Sequence, residues 1–152
     1  MGQAKFYYKN INAPKPNKPN HIRTCAFIRL NGKVLLEKRT DSNRWGLIGG
    51  GLNVDESLEQ CMIREIYEET GLIIYERDLR YINIYSDPSR IAEYPDGNVL
   101  RIITVFYLID LNYQPNLRCS SESQELKFFS YDELKSLNIA ETQKHIIDEF
   151  LT

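Results

Sequence analysis

The sequence predicts an α/β (α+β) domain in which helices flank a mixed β-sheet. Three observations carry that reading. Asn31-Gly32 separates two strand-like runs, "HIRTCAFIRL" and "KVLLEKR". A helical segment rich in charge stops at Gly71. Residues 99–111, "VLRIITVFYLIDL", are β-branched and aromatic in the manner of a central strand. Strands and helices intermix, and each must bury its apolar side on a neighbour, so a sheet covered by helices follows.

In chain order, residues 1–20 read as an arm and residues 21–152 as a single domain. Pro14, Pro16 and Pro19 lie among Asn and Lys, which favours an extended linker. The apolar "FYY" before it can dock on the body or on a partner chain, so a homodimer built partly through the arm is expected. The first strand follows, then a tight turn at Asn31-Gly32, where both residues tolerate positive φ, then the second strand. "TDSNRWGLIGGG" reads as a loop with a short apolar piece. A helix runs from Glu56 or Ser57 to Thr70, with Asp55, Glu56 and Glu59 at the positive end of its dipole and Gly71 just past its end. "LIIYERDLRYINIYS" reads as two short strands or one bent one, and "DPSRIAEYPDGN" as a turn-rich loop. After the strand at 99–111, "QELKFFS" is another strand, and "YDELKSL" and "ETQKHIIDEFL" are short helices.

Composition excludes several classes. Hydrophobic residues make up 42% and charged residues 26%, as in ordinary globular domains. A net charge of -2 sets up no global field for DNA or for an anionic membrane. Cys25, Cys61 and Cys119 are odd in number and widely spaced, with neither a disulfide framework nor a CxxC metal pattern, so buried reduced thiols are expected. "MGQAKFYYKN" has no apolar core of signal-peptide length, and Phe6 stands where a myristoylation site wants Ser or Thr. No apolar run approaches the roughly 20 residues that span a bilayer. The expectation is a cytoplasmic protein without a membrane partner.

The helix before Gly71 raises a question of charge. With Glu65 at zero, Glu69 falls at about 40° and Glu68 at about −60°, so three carboxylates share one sector of the helix. Arg64 lies four residues before Glu68 and can pair with it. Clustered carboxylates repel one another unless a cation sits among them, and hard oxygen ligands suit Mg²⁺ or Mn²⁺. Gly49, Gly50 and Gly51 allow close backbone approach, with carbonyls for a metal and amides for anionic oxygens.

From Gly50 to Leu72 the spacing is G-x5-E-x7-R-E-U-x-E-E-x-G-U, where U is a bulky aliphatic; Gly50, Glu56, Arg64, Glu65, Ile66, Glu68, Glu69, Gly71 and Leu72 fill the fixed positions. This segment resembles a complete Nudix box, and "LLEKR" and "WGLIGGG" resemble its run-in. Ile48 departs from the Pro that many members carry there, which removes no ligand. The resemblance implies the Nudix α/β/α sandwich and hydrolysis of a nucleoside diphosphate linked to another group X. It implies Glu65, Glu68 and Glu69 as metal ligands, with the Gly49 carbonyl beside them and Mg²⁺ or Mn²⁺ as the cofactor. Glu56 and Arg64 would orient those ligands. Arg39 matches a position that meets phosphate, and Arg23 is a further candidate. The general base is a box glutamate, or Glu122 or Glu125 from "SSESQEL"; Tyr85, Tyr94 and Tyr107 are candidates to stack on a base. Pro88 lies 16 positions after Leu72, a spacing associated with members that cleave ADP-ribose. ADP-ribose or a related nucleotide sugar is therefore the expected small-molecule substrate. A nucleoside triphosphate pyrophosphatase, an RNA 5′-end pyrophosphohydrolase and a non-catalytic nucleotide sensor are the alternatives. No basic run supports long RNA contacts.

Overall fold

The computed structural model of the chain describes residues 2–151. In order, the elements are β1 (Lys5–Tyr7), β2 (His21–Leu30), β3 (Lys33–Arg39), β4 (Trp45–Gly51), α1 (Leu58–Thr70), β5 (Arg80–Tyr85), β6 (Ile91–Glu93), β7 (Val99–Asp110), β8 (Ser123–Ser130), α2 (Tyr131–Leu134) and α3 (Glu141–Leu151). The sheet runs β1-β6-β7-β2-β4-β3-β8, with β5 also on β7. β2 and β7 run parallel, from His21 opposite Ile102 to Arg29 opposite Asp110. The other strand pairs are antiparallel, so the sheet is mixed.

Two cores sandwich this sheet, and strand alternation sorts the side chains between them. Phe27, Leu36 and Phe106 pack with Leu134 of α2 and Ile146 of α3. Ile28, Leu35 and Val105 pack on the other face with Met62 and Ile66 of α1. Because both faces are covered, the central strands read as continuous apolar runs rather than alternating ones.

The turn between β2 and β3 is as the sequence predicts, with Asn31 at φ 51° and Gly32 at φ 74°. α1 starts at Leu58 because Ser57 is its extended cap: Gln60 N donates to the Ser57 hydroxyl at 3.1 Å, and Ser57 N donates to the Gln60 side chain at 2.8 Å. Gly71 ends the helix at φ 82° and donates to the Tyr67 carbonyl at 2.9 Å.

Four segments differ from the sequence reading. "WGLIGGG" is strand β4, not loop: Leu47 and Ile48 are buried on opposite faces, and the strand is hydrogen-bonded on both edges. The turn-rich loop contains β6, and the segment before β5 forms a single 3₁₀ turn, Glu76–Asp78, in place of a strand. Arg90 explains the local order around β6. It is fully buried and donates to His145 Nε2 at 2.9 Å and to the carbonyls of Tyr85 at 3.1 Å, Ile102 at 2.7 Å and Thr142, which ties the loop to α3. The arm also supplies a strand: β1 pairs with β6, Tyr7 donates to Glu93 at 2.7 Å, and Tyr8 stacks on His145 at 3.9 Å. Finally, Cys25 and Cys61 are buried thiols as expected, whereas Cys119 is exposed, because it lies in the connection before β8 outside both cores. Among the described residues no helix is long and apolar enough to cross a membrane.

Candidate active site

The glycines at the end of β4 form one wall of a cleft. Arg23, Thr24 and Cys25 of β2 lie opposite Gly51, Gly50 and Gly49. A Cβ on Gly49 would sit 2.0 Å from the Thr24 carbonyl oxygen, and one on Gly50 would sit 2.2 Å from the Glu65 carboxyl carbon. Glycine is required here by close approach, with no unusual φ involved. Its absent side chains are what let a helix carboxylate lie against the strand.

α1 supplies the acid. Glu69 is 3% exposed, and its Oε2 accepts from Gly49 N at 3.3 Å. The side chain of Glu65 is 12% exposed and that of Glu68 is 56% exposed. Burial, then the charges of Glu37 and Glu65, push Glu69 well above the ordinary carboxylate range. Such a group favours a positive ion beside it over bare ionisation.

Arg64 organises this region. Its guanidinium takes Glu56 in a two-pronged grip, reaches Glu65 at 2.9 Å and Glu68 at 3.1 Å, and donates to the Gly51 carbonyl at 3.0 Å. Arg64 holds the Glu56 carboxyl down to about 2, and Glu56 also accepts from Asn53 N at 2.9 Å. One side chain thus locks the helix, the glycine strand and the turn between them.

A cleft of about 220 Å³ opens over these groups, lined by Arg23, Arg39, the glycines 49–51, Glu65, Glu69 and Glu122. Of the residues expected at the site, these come together. Glu68 does not join them; it is exposed and paired with Arg64. Glu125 lies on β8 opposite Lys38, outside the lining. Glu122 is brought in by the irregular register at Lys38/Arg39, where Thr40 donates to its carbonyl through both N at 3.0 Å and Oγ1 at 2.9 Å. Arg39 is heavily committed: Asp41 takes it at 3.0 and 2.9 Å and Glu37 at 2.9 Å. No hydrogen bond or ion pair of comparable kind engages Arg23 among the described residues. The three tyrosines lie elsewhere: Tyr85 against Phe106, Tyr94 against Phe6, and Tyr107 donating to Glu59 at 3.1 Å.

The donor set fits a hard divalent cation. Two carboxylates and a backbone rim share one wall, and anionic oxygens of a substrate would complete the ring. Among the described residues no group of three or more acidic, imidazole or thiol side chains is placed to hold a metal ion by itself, so a cation here would draw its remaining ligands from backbone carbonyls, water and phosphate. Sequence reasoning missed Glu37 and Asp41. For Glu37 the available signal was a carboxylate directly after the apolar run Val34, Leu35 and Leu36; nothing comparable marked Asp41.

The family model described as the NUDIX domain matches residues 19–150. The chain is 32% identical over 119 residues to the ADP-ribose pyrophosphatase of Methanocaldococcus jannaschii, covering 76% of this chain and 65% of that protein. It is 27% identical over 129 residues to the nucleoside triphosphatase NudI of Enterobacter sp., covering 79% and 89%. Its fold is similar to that of a bifunctional NMN adenylyltransferase/ADP ribose pyrophosphatase of Francisella tularensis, crystallised with AMP and a Mn ion. The TM-score is 0.74 at 24% identity, covering 90% of this chain and 42% of that one. The chain thus spans about two thirds or less of two of these proteins.

Proposed function

The chain belongs to the NUDIX family, and from that premise we propose that it is a divalent-metal-dependent pyrophosphohydrolase of nucleoside diphosphates linked to another group, with ADP-ribose or a related nucleotide sugar as substrate. The observation that carries the reading is the convergence of Glu65 and Glu69 with the glycines 49–51 and Arg23 in one cleft. Mg²⁺ or Mn²⁺, held by Glu65, Glu69 and the Gly49 backbone with Glu68 at the rim, would neutralise the diphosphate and acidify water when bound. Arg64 and Glu56 fix the direction of Glu65 and of the Gly51 carbonyl. Arg23 and Arg39 line the side from which phosphate oxygens approach, and Gly50 and Gly51 give them room. Glu122, ionised, is an acceptor that takes the proton of the attacking water as the P–O–P bond opens. ADP-ribose and water would yield AMP and ribose 5-phosphate.

The relative named ADP-ribose pyrophosphatase supports this substrate class, as does Pro88 at its spacing. A second reading, a nucleoside triphosphate pyrophosphatase, is favoured by the NudI relative, 89% of whose length is matched. The test is phosphate and nucleotide release with Mg²⁺ across ADP-ribose, other nucleotide sugars, dinucleoside polyphosphates and nucleoside triphosphates. AMP from ADP-ribose at the highest kcat/KM supports the first reading. Diphosphate release from triphosphates at a higher kcat/KM replaces it with the second.

A further inference from the structure

β3 lies between β4 and β8 in the sheet. Val34, Leu35 and Leu36 are completely buried along it, and Glu37 continues the run at 1% exposure. A carboxylate taken out of water in that position is costly unless both oxygens are satisfied. Only one is. Oε1 accepts from Arg39 Nη1 at 2.9 Å, while Oε2 is buried without a hydrogen-bond partner. Arg39 turns its other prongs to Asp41.

Glu37 also neighbours the Glu69 carboxyl, itself buried, and feels the charge of Arg23. Ionised, the two carboxylates offer each other only acceptors, and such a pair is tolerated where a shared proton or a positive charge accompanies it. Arg39 supplies positive charge to both, and on the cleft side a cation beside Glu69 would take the place of the proton. Glu69 meets the cleft and Glu37 does not, so Glu37 stands behind Glu69.

We infer that Glu37 is a positioning residue of the divalent-cation site, setting the Glu69 carboxyl against the glycine rim and adding its negative charge to the field that draws the cation. The inference rests on the metal-dependent reading above. It separates Glu37 from a mere ion-pair partner of Arg39, which Asp41 already grips with two hydrogen bonds.

The experiment is Mn²⁺ binding to the full chain without substrate, followed by electron paramagnetic resonance of the free ion. Glu37→Gln keeps the shape, removes the charge and turns an amide donor on Glu69, so Mn²⁺ affinity is expected to fall about 10-fold or more. Glu37→Asp keeps the charge and loses a methylene, and is expected to bind Mn²⁺ better than Glu37→Gln. A packing role predicts the reverse order, since Gln is the better isostere. Glu37→Gln binding Mn²⁺ as tightly as wild type, or more tightly than Glu37→Asp, overturns the inference. So does a Glu37→Gln chain whose circular dichroism is that of an unfolded protein while Glu37→Asp folds and binds as wild type, because the carboxylate is then structural. A wild-type chain that binds no Mn²⁺ removes the metal-dependent reading itself, and the role of Glu37 with it.

Discussion

Glu56 and Arg64 face each other in a two-pronged ion pair, Nε to Oε2 at 2.9 Å and Nη2 to Oε1 at 2.7 Å. A planar fork makes that contact while its third nitrogen reaches Glu65; an ammonium has one point of charge and cannot do both. Arg64→Lys is therefore expected to lower kcat/KM about 10- to 100-fold through misplacement of Glu65 and the Gly51 carbonyl. Steady-state kinetics at saturating Mg²⁺ check it; a Lys variant within about 2-fold of wild type would leave the fork without a catalytic part.

Gly49 and Gly50 should respond differently to the same methyl group. At Gly50 the added carbon meets the end of the Glu65 side chain, which can swing aside. Gly50→Ala is expected to fold with a nearly unchanged melting temperature and to lose about 100-fold in rate. At Gly49 it meets the Thr24 backbone, which cannot move without opening the β2–β4 pairing. Gly49→Ala is expected to melt several degrees lower. Thermal melts beside initial rates separate the two.

Glu122 and Glu125 give a direct contrast. Glu122 lines the cleft and Glu125 does not. Glu122→Gln is expected to cost about 100-fold in kcat and to remove the acidic limb of the pH–rate profile, with Glu125→Gln close to wild type. If both keep the wild-type rate and limb, the base is a glutamate inside the box.

His145 predicts a pH dependence of stability. Burial first, then the neighbouring Arg90 and Lys9, bring its folded pKa down to about 4 from 6.5. The unfolded chain therefore takes up a proton before the folded one does, and stability falls as pH drops from about 6.5 towards about 4. Since the ring is partly exposed, the loss is on the order of 1 kcal/mol. Urea melts at pH 7 and pH 5 should show this drop in wild type and a smaller one in His145→Gln. An equal drop in both assigns the effect to other groups.

The arm folds onto its own sheet through β1, Tyr7 and Tyr8. Deleting residues 1–10 is expected to lower the melting temperature and leave the mass in light scattering unchanged. A halved mass would instead give the arm a part in a dimer interface.

Much of this molecule is legible from its residues, for reasons that differ by region. Asn31-Gly32, the Ser57 cap and Gly71 are local signals, readable because backbone sterics decide them. The carboxylate sector of α1 is legible because helix geometry alone puts Glu65 and Glu69 on one side. Its partition is not: Glu65 and Glu69 turn inward and Glu68 outward because of where β4 lies, a tertiary fact. "WGLIGGG" hides a strand because glycine carries no β propensity, and its pairing partners are distant in sequence. Glu37 was missed for a similar reason. A glutamate in a strand reads as a solvent-facing residue until both faces of that strand are known to be covered.

The parallel alignment of β2 with β7 carries a consequence for how the chain reaches this state. Joining Arg29 to Asp110 and His21 to Ile102 closes a loop of about 80 residues, whose entropy must be paid before any of the contacts form. β2, β3 and β4, by contrast, meet through short connections. The glycine wall and its β2 neighbours are thus expected to assemble early, with β7 zipping in afterwards as the slow step. Substitutions in β7 that weaken its pairing should then slow refolding less than they speed unfolding, and those at the Asn31-Gly32 turn should do the opposite.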